Sequence, residues 1–271
     1  MSLLLSTKRR IVQFASLGAL TSNLWSISGP AVCLPVLHCQ ACPWSWFICP
    51  IGMVSESIAF HEFPVLALAI VLGAGILLGR FFCGWVCPSG FVQDLLFRIP
   101  VPKFALPRVL TYLKYVFLFG TVVLVAYFFG KERLFFFCSF CPTATVEVVV
   151  PQMIVDHDYA LSAWRVLRFG VLGLVLWLAM ANRRSFCKIM CPVGALEGLT
   201  SRFSLFSLKL APSQCVHCHK CDHACPMDVP VEQTAESGKK ISRDAECIEC
   251  LDCEAECPTT AIRNNSRVLH K

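Results

Sequence analysis

"CIECLDCEAECP", from Cys247 to Pro258, sets four thiols at the spacing C-x2-C-x2-C-x3-C and closes with proline. The same spacing occurs earlier as "CVHCHKCDHACP", with Cys215, Cys218, Cys221 and Cys225 followed by Pro226. A tight CxxCxxC loop turns three thiolates onto three irons of one [4Fe–4S] cube, and the fourth cysteine leaves that loop for the other cube. The proline stops the chain from continuing helically with a free amide at that point. A zinc site is the competing use of grouped thiols, and two matched cassettes argue against it. Two [4Fe–4S] clusters are therefore expected at the C-terminal end.

The rest of the chain has a different composition. Of 271 residues, 56% are hydrophobic and 15% charged, against about 25% charged in soluble domains. Mean hydropathy is +0.62. These values predict several membrane spans. Eighteen cysteines would suit a disulfide scaffold in a short secreted chain. Here they fall in CxxC and CxxxC groups followed by proline, which favours cluster ligation. Residues 1–200 carry the basic excess and residues 201–271 are near balance. The charge therefore reads as a topology signal, and no basic run interleaved with aromatics points to nucleic acid.

Four apolar stretches are long enough to span: Ile11–Pro30, Phe63–Gly79, Tyr112–Gly130 and Val166–Asn182. Lys8, Arg9 and Arg10, then Arg80, Arg98, Lys103, Arg108 and Lys114, then Arg183, Arg184 and Lys188 all fall on one side of such a bundle. By the positive-inside rule that side is cytoplasmic. The expectation is a multi-pass protein of the inner (cytoplasmic) membrane with both termini in the cytoplasm. A cleaved signal peptide is the alternative for the first stretch, and its removal would break this topology. The composition changes after Ser201, with a boundary near Leu210–Pro212. The chain thus divides into a transmembrane domain, 1–208, and a small α+β two-cluster domain, 209–271.

The apolar part contains an internal repeat. Each half reads span, outer CxxCP, span, inner CxxxCP. The outer pairs are Cys39/Cys42 and Cys138/Cys141, and the inner pairs are Cys83/Cys87 and Cys187/Cys191. The inner motifs share a tail, "CPSGFVQD" and "CPVGALEG", and "CPIGMVSE" at Cys49 is similar. Two parallel repeats about an axis along the membrane normal would bring the outer pairs together and the inner pairs together. The fold expected is membrane all-α: four transmembrane helices in two tandem repeats, with the small two-cluster domain appended.

The C-terminal cassettes resemble bacterial two-cluster ferredoxins. That resemblance implies one cluster on Cys215, Cys218, Cys221 and Cys257 and a second on Cys247, Cys250, Cys253 and Cys225. With the paired CxxxCP motifs, nearly the whole chain resembles the NapH-type membrane ferredoxins, a family that includes the membrane core of NosR and the CcoG proteins. The resemblance implies four spans, cytoplasmic CxxxCP pairs and clusters, and electron transfer between the quinone pool and a redox partner. It also implies an oxidoreductase subunit of a larger complex, resembling the membrane component of a quinol dehydrogenase. Cys83, Cys87, Cys187 and Cys191 are candidate ligands of an inner membrane cluster.

On the outer side the chain departs from that pattern, adding Cys33, Cys39, Cys42, Cys49, Cys138 and Cys141. By the repeat, Cys39, Cys42, Cys138 and Cys141 are candidates for an outer cluster, with Cys49 as a substitute ligand and Cys33 free. Outer CxxC pairs also exchange disulfides, so a transmembrane thiol–disulfide relay is the second functional class. A factor supplying electrons for assembly of a partner's metal site is the third. None of the seven histidines lies in a span and no CxxCH occurs, so no haem is expected. Transfer across the bilayer would use clusters alone, and about 30 Å of hydrocarbon is too far for one step unless the clusters sit deep or quinone bridges them. Quinol oxidation releases protons and needs acceptors. The candidates are Glu56, His61 and Glu62 on one outer loop and Asp156, His157 and Asp158 on the other, with solvated loop charges as the plainer alternative. The acidic residues Glu246, Glu249, Asp252, Glu254 and Glu256 form either a solvated face or a surface that steers a basic partner.

Overall fold

A computed structural model describes residues 2–20, 49–130, 136–157, 162–205 and 208–264. These residues are mostly helical, with one two-stranded antiparallel sheet.

Two described helices are long and apolar enough to cross a membrane. Arg108–Phe129 has 22 residues and a mean hydropathy of 2.0, and Ala163–Ala181 has 19 residues and a mean hydropathy of 1.6. Only 6% of the most apolar window of Ala163–Ala181 is buried inside the chain, so its apolar surface faces outward. The expectation of four such helices is not met among the described residues. The stretch Phe63–Gly79 is helical only over Val65–Leu78, 14 residues. Pro64 precedes its first turn, and Gly79 at φ 61° ends it. At 1.5 Å per residue it is about 21 Å long, short of an average hydrocarbon core. The first expected span begins inside helix Ser2–Leu20 and continues beyond the described residues.

The Cys-Pro motifs have a shared structural role. Cys49, Cys87, Cys141 and Cys191 each precede a helix as an extended capping residue, and the following proline takes the first helical position. There its fixed φ suits the helix and its missing N–H costs nothing. At Cys49 and Cys191 the sulfur accepts a 3.5 Å hydrogen bond from Gly52 N and Gly194 N. The motif therefore points a sulfur at the positive end of a helix.

Two cores result. Ile51, Val54, Ala67, Leu118, Val122, Phe137, Phe186 and Val193 pack between the helices of the apolar part. Leu208, Met227, Val229, Val231, Ile241, Ile248 and Ile262 form the second, beneath the C-terminal cassettes. Strand Leu208–Leu210 pairs antiparallel with Ile262–Asn264, so the two ends of the C-terminal region meet. The segment between the cassettes supplies helix Val231–Glu236 and a short turn at Ile241–Arg243.

Candidate cluster sites

The inner CxxxCP pairs converge. The Cys83 thiol lies in the electrostatic field of Cys87 and Cys191, and Cys191 in that of Cys187 and Cys87. Each pair is held by the same local bonds. Val86 N and Cys87 N both donate to Phe82 O at 2.9 Å, while Met190 N and Cys191 N donate to Phe186 O at 2.9 and 3.0 Å.

Around these thiols the two halves cross. Gln93 Nε2 lies 3.3 Å from Cys187 Sγ, and Cys83 Sγ lies 2.9 Å from Glu197 Oε2. Arg184 packs on Gly90 and Arg80 on Gly194, where an added Cβ would press into the guanidinium. Arg184 also donates to Cys83 O at 2.8 Å. Both arginines are at most 1% exposed. Arg80/Arg184, Gly90/Gly194, Gln93/Glu197 and the cysteines share one sequence offset of 104 residues.

Burial, and then the Glu197 carboxylate, push the Cys83 thiol well above its ordinary value. Burial and Cys187 do the same to Cys191. Thiols in such a place stay protonated unless a cation takes the charge of the sulfur. Four convergent sulfurs, two buried guanidiniums and an amide donor at one sulfur are a donor set that fits an iron–sulfur cluster, an anionic assembly of soft thiolate ligands.

In the second cassette Cys253 lies in the field of Cys250, Cys247 and Cys225, and Cys247 and Cys250 also face Cys225. The structure thus brings Cys225 of the first cassette to the loop of the second. Conversely, Cys215, Cys218 and Cys221 line a small cavity together with Cys257. The loops match in backbone as well: His217 and His219 have φ of 52° and 54°, and Glu249 and Leu251 have φ of 53° and 63°. At Cys257 burial raises the thiol, but the Ile262 amide, the Thr259 hydroxyl and the Ala261 amide outweigh it and hold it below its ordinary value. Cys218 is exposed, while Cys247 and Cys253 are buried. His217 and His219 pair with Glu232 at 2.5 and 2.7 Å.

The second cassette lies directly on the inner site. Gly84, between Cys83 and Cys87, packs so closely on the Ile248 carbonyl and the Cys250 backbone that a Cβ there would collide. Trp85 Nε1 donates to Glu249 O at 3.1 Å, and Gln13 Nε2 to Gly84 O at 2.9 Å. Ion pairs rivet this contact. Arg9 meets Asp252 at 2.5 Å, Arg183 meets Asp252 and Asp94 at 3.3 Å each, and Arg184 meets Asp94 at 2.7 Å. Lys188 reaches Asp228 at 2.5 Å, Arg80 reaches Glu246 at 3.6 Å, and Lys114 makes a short bond to Glu246. Two of the five acidic residues are buried: Glu246 is 8% exposed and Glu249 1%. Arg9, Arg80, Arg108, Lys114, Arg183 and Lys188, which read as topology markers, are therefore also docking groups.

On the other side Cys138 faces Cys49 and Cys141; burial first, and then these neighbours, raise its thiol. Burial pushes Cys141 up to about 12, against hydrogen bonds that include the Ala144 amide. Cys33, Cys39, Cys42 and Asp158 lie outside the described residues. Of the proton-acceptor candidates, His61 meets the Tyr127 ring edge-on at 4.9 Å. Asp156 borders a cavity of about 350 Å³ with Arg165 and Arg168. Glu56 is half-buried on helix Pro50–Ala59, and Glu62 and His157 are exposed.

Comparison with known proteins adds the family. A 4Fe–4S binding domain matches residues 60–107 and 163–211, and a 4Fe–4S dicluster domain matches residues 207–258. One uncharacterised protein of Methanocaldococcus jannaschii is 31% identical over 67% of this chain and 64% of its own length, so the chain spans less than two thirds of it. A second protein of that organism is 28% identical over 80% of this chain and 86% of its own length. The ferredoxin-type protein NapH of Haemophilus influenzae is 26% identical, covering 80% of this chain and 75% of that protein. No solved structure matches the chain.

Proposed function

We propose, for a chain that belongs to the ferredoxin-type 4Fe–4S proteins related to NapH, that it carries single electrons between the membrane and a cytoplasmic redox partner. The two 4Fe–4S domain matches and the likeness to the ferredoxin-type protein NapH support an iron–sulfur electron-transfer role. The division at 208/209, the four-span topology with two tandem repeats, the cytoplasmic termini and the assignment of ligands are parts of this reading. A [4Fe–4S] cluster supplies reversible one-electron storage. The chain supplies the thiolates, their order and their insulation from water.

The observation that carries the reading is the contact of Gly84 with Ile248 and Cys250. It sets the loop of Cys83, Cys87, Cys187 and Cys191 against the ligand set Cys225, Cys247, Cys250 and Cys253. The second C-terminal set, Cys215, Cys218, Cys221 and Cys257, lies on the side where Cys218 is exposed. The three sets thus form a file from the membrane-side core to the surface, and a partner subunit would meet the last one. Quinone is the proposed membrane-side reactant. Glu56 and His61, with Asp156 and His157, remain its proposed proton acceptors.

Iron and acid-labile sulfide on anaerobically purified protein test the assignment. About twelve irons are expected per chain, falling to about eight in Cys83→Ser/Cys191→Ser, at four irons per cube. About eight in both proteins would remove the inner cluster from the reading. About sixteen in the wild type would add a set at Cys49, Cys138 and Cys141. A thiol relay at that set is the second reading. Burial that holds Cys141 near 12 leaves little nucleophilic thiolate at neutral pH, which favours ligation there.

A further inference from the structure

A cavity of about 1140 Å³ opens between the start of helix Arg108–Phe129 and the C-terminal region. Its walls carry Arg202, Lys209, Lys239, Lys240 and Arg243. None of these five has an ion pair with a carboxylate among the described residues. The two described carboxylates in the wall are already engaged, Asp244 by Arg108 at 3.2 Å and Glu246 by Lys114 and Arg80. The cations also crowd one another: after its desolvation, Arg243 and Lys209 pull the Lys240 ammonium below its usual value. Arg9, Arg80, Lys114, Arg183, Arg184 and Lys188, by contrast, each pair with a carboxylate. Among the described side chains the cavity is left with a concave surplus of positive charge.

A second feature starts at the same place. Tyr112 lines the cavity. On its helix Val109, Tyr112, Val116 and Phe119 are 76%, 67%, 64% and 55% exposed. Their spacing of three, four and three residues puts them on one helical face. An apolar stripe therefore runs from the rim of the basic cavity along the outside of the helix.

We propose that the cavity binds the phosphate headgroup of an anionic phospholipid, whose acyl chains lie along the Val109–Phe119 stripe. A zwitterionic lipid would bring its own cation into a cavity already crowded with cations. A soluble phosphate would gain the cations and leave the stripe unused. This inference rests on the membrane placement of helix Arg108–Phe129. It does not depend on the number of clusters.

The test is lipid retention by the full chain, purified in a neutral detergent and examined by native mass spectrometry while phosphatidylglycerol is titrated in. About one phosphatidylglycerol should bind tightly per chain, and phosphatidylcholine should not. Lys240→Gln/Arg243→Gln should bind it roughly thirty-fold more weakly, at about a fivefold loss per cation near an anionic headgroup. Val116→Ser/Phe119→Ser should weaken phosphatidylglycerol but leave binding of glycerol phosphate unchanged. Lys8→Gln, at an exposed position outside the cavity, should behave as wild type. Equal retention by the Lys240/Arg243 variant, or equal retention of phosphatidylcholine, would overturn the proposal. So would glycerol phosphate binding as tightly as the lipid, which would make free phosphate the ligand. Iron content on the same samples reports the electron-transfer reading separately.

Discussion

Gly84 decides how closely the two parts of the molecule approach. An added methyl meets the Ile248 carbonyl and the Cys250 backbone rather than a side chain that can swing away. Gly84→Ala should therefore lower stability by about 1–3 kcal/mol, the usual range for overpacking a rigid contact. Gly73→Ala, with nothing within 4 Å of the new Cβ, should be neutral or stabilising. Thermal unfolding of the detergent-solubilised proteins compares the two directly. Asp94 makes a pH prediction. Burial alone would raise its carboxyl, but Arg184, Arg183 and Arg9 together hold it at about 2, below the ordinary 3.8. A depressed folded value stabilises the fold above the unfolded value and loses that contribution as pH falls toward the folded one. The contribution is roughly 2.5 kcal/mol. The stability difference between wild type and Asp94→Asn should be flat from pH 8 to 5 and shrink only below about pH 4. Taking the difference cancels acid effects common to both proteins. The cysteine spacings were readable from the sequence because ligation imposes them locally. Arg80, Gln93, Arg184 and Glu197 were not, because basic residues at the end of an apolar stretch also mark topology, and a glutamine or glutamate on a short helix has no signature of its own. The shared offset that pairs Gln93 with Glu197 and Arg80 with Arg184 is the signal that would have found them.

Helix Arg108–Phe129 is apolar enough to cross a membrane, yet Lys114 in its first turns is completely buried and bonded to Glu246. A buried ion pair adds little over a well-packed apolar pair, but removing one partner strands the other. Lys114→Met should therefore destabilise by about 3–5 kcal/mol, tempered by the remaining Arg80 contact to Glu246. Adding Glu246→Gln should recover a large part of that loss. Additive single effects in unfolding midpoints would show that the pair does not couple the helix to the C-terminal region. A different helix, Val65–Leu78, shows why span prediction from hydropathy was incomplete. Hydropathy reports where apolar residues accumulate, while Pro64 and Gly79 set where helix Val65–Leu78 starts and stops. A stretch that is apolar over a full span length can thus fold into a shorter helix. Proline after a cassette reads in the sequence as a helix stop, whereas the prolines after Cys49, Cys87, Cys141 and Cys191 open short helices, because a proline fits the first helical position.

Over the whole molecule, the three cysteine sets differ in their neighbours, and that difference can be measured. The inner set touches the cassette that holds Cys247 and Cys250, and that cassette shares Cys225 with the chain of the exposed set. Half-integer spins on adjacent reduced clusters interact, and the interaction weakens steeply with distance. In the wild type, fully reduced, the low-temperature EPR spectrum should carry interaction features from a middle cluster with a neighbour on each side. Cys83→Ser/Cys191→Ser should remove the inner neighbour and leave the simpler coupled spectrum of a two-cluster ferredoxin. The crossed contacts predict a further distinction. Gln93→Ala removes the N–H directed at Cys187, a donor that favours added electron density on that sulfur. It should lower the potential of the inner cluster and leave the other two unchanged in a redox titration. An equal shift in all three would mean that Gln93 acts through the docking of the whole C-terminal region. Ion pairs from Arg9, Lys114, Arg183 and Lys188 hold that docking, so a selective shift is the expected result.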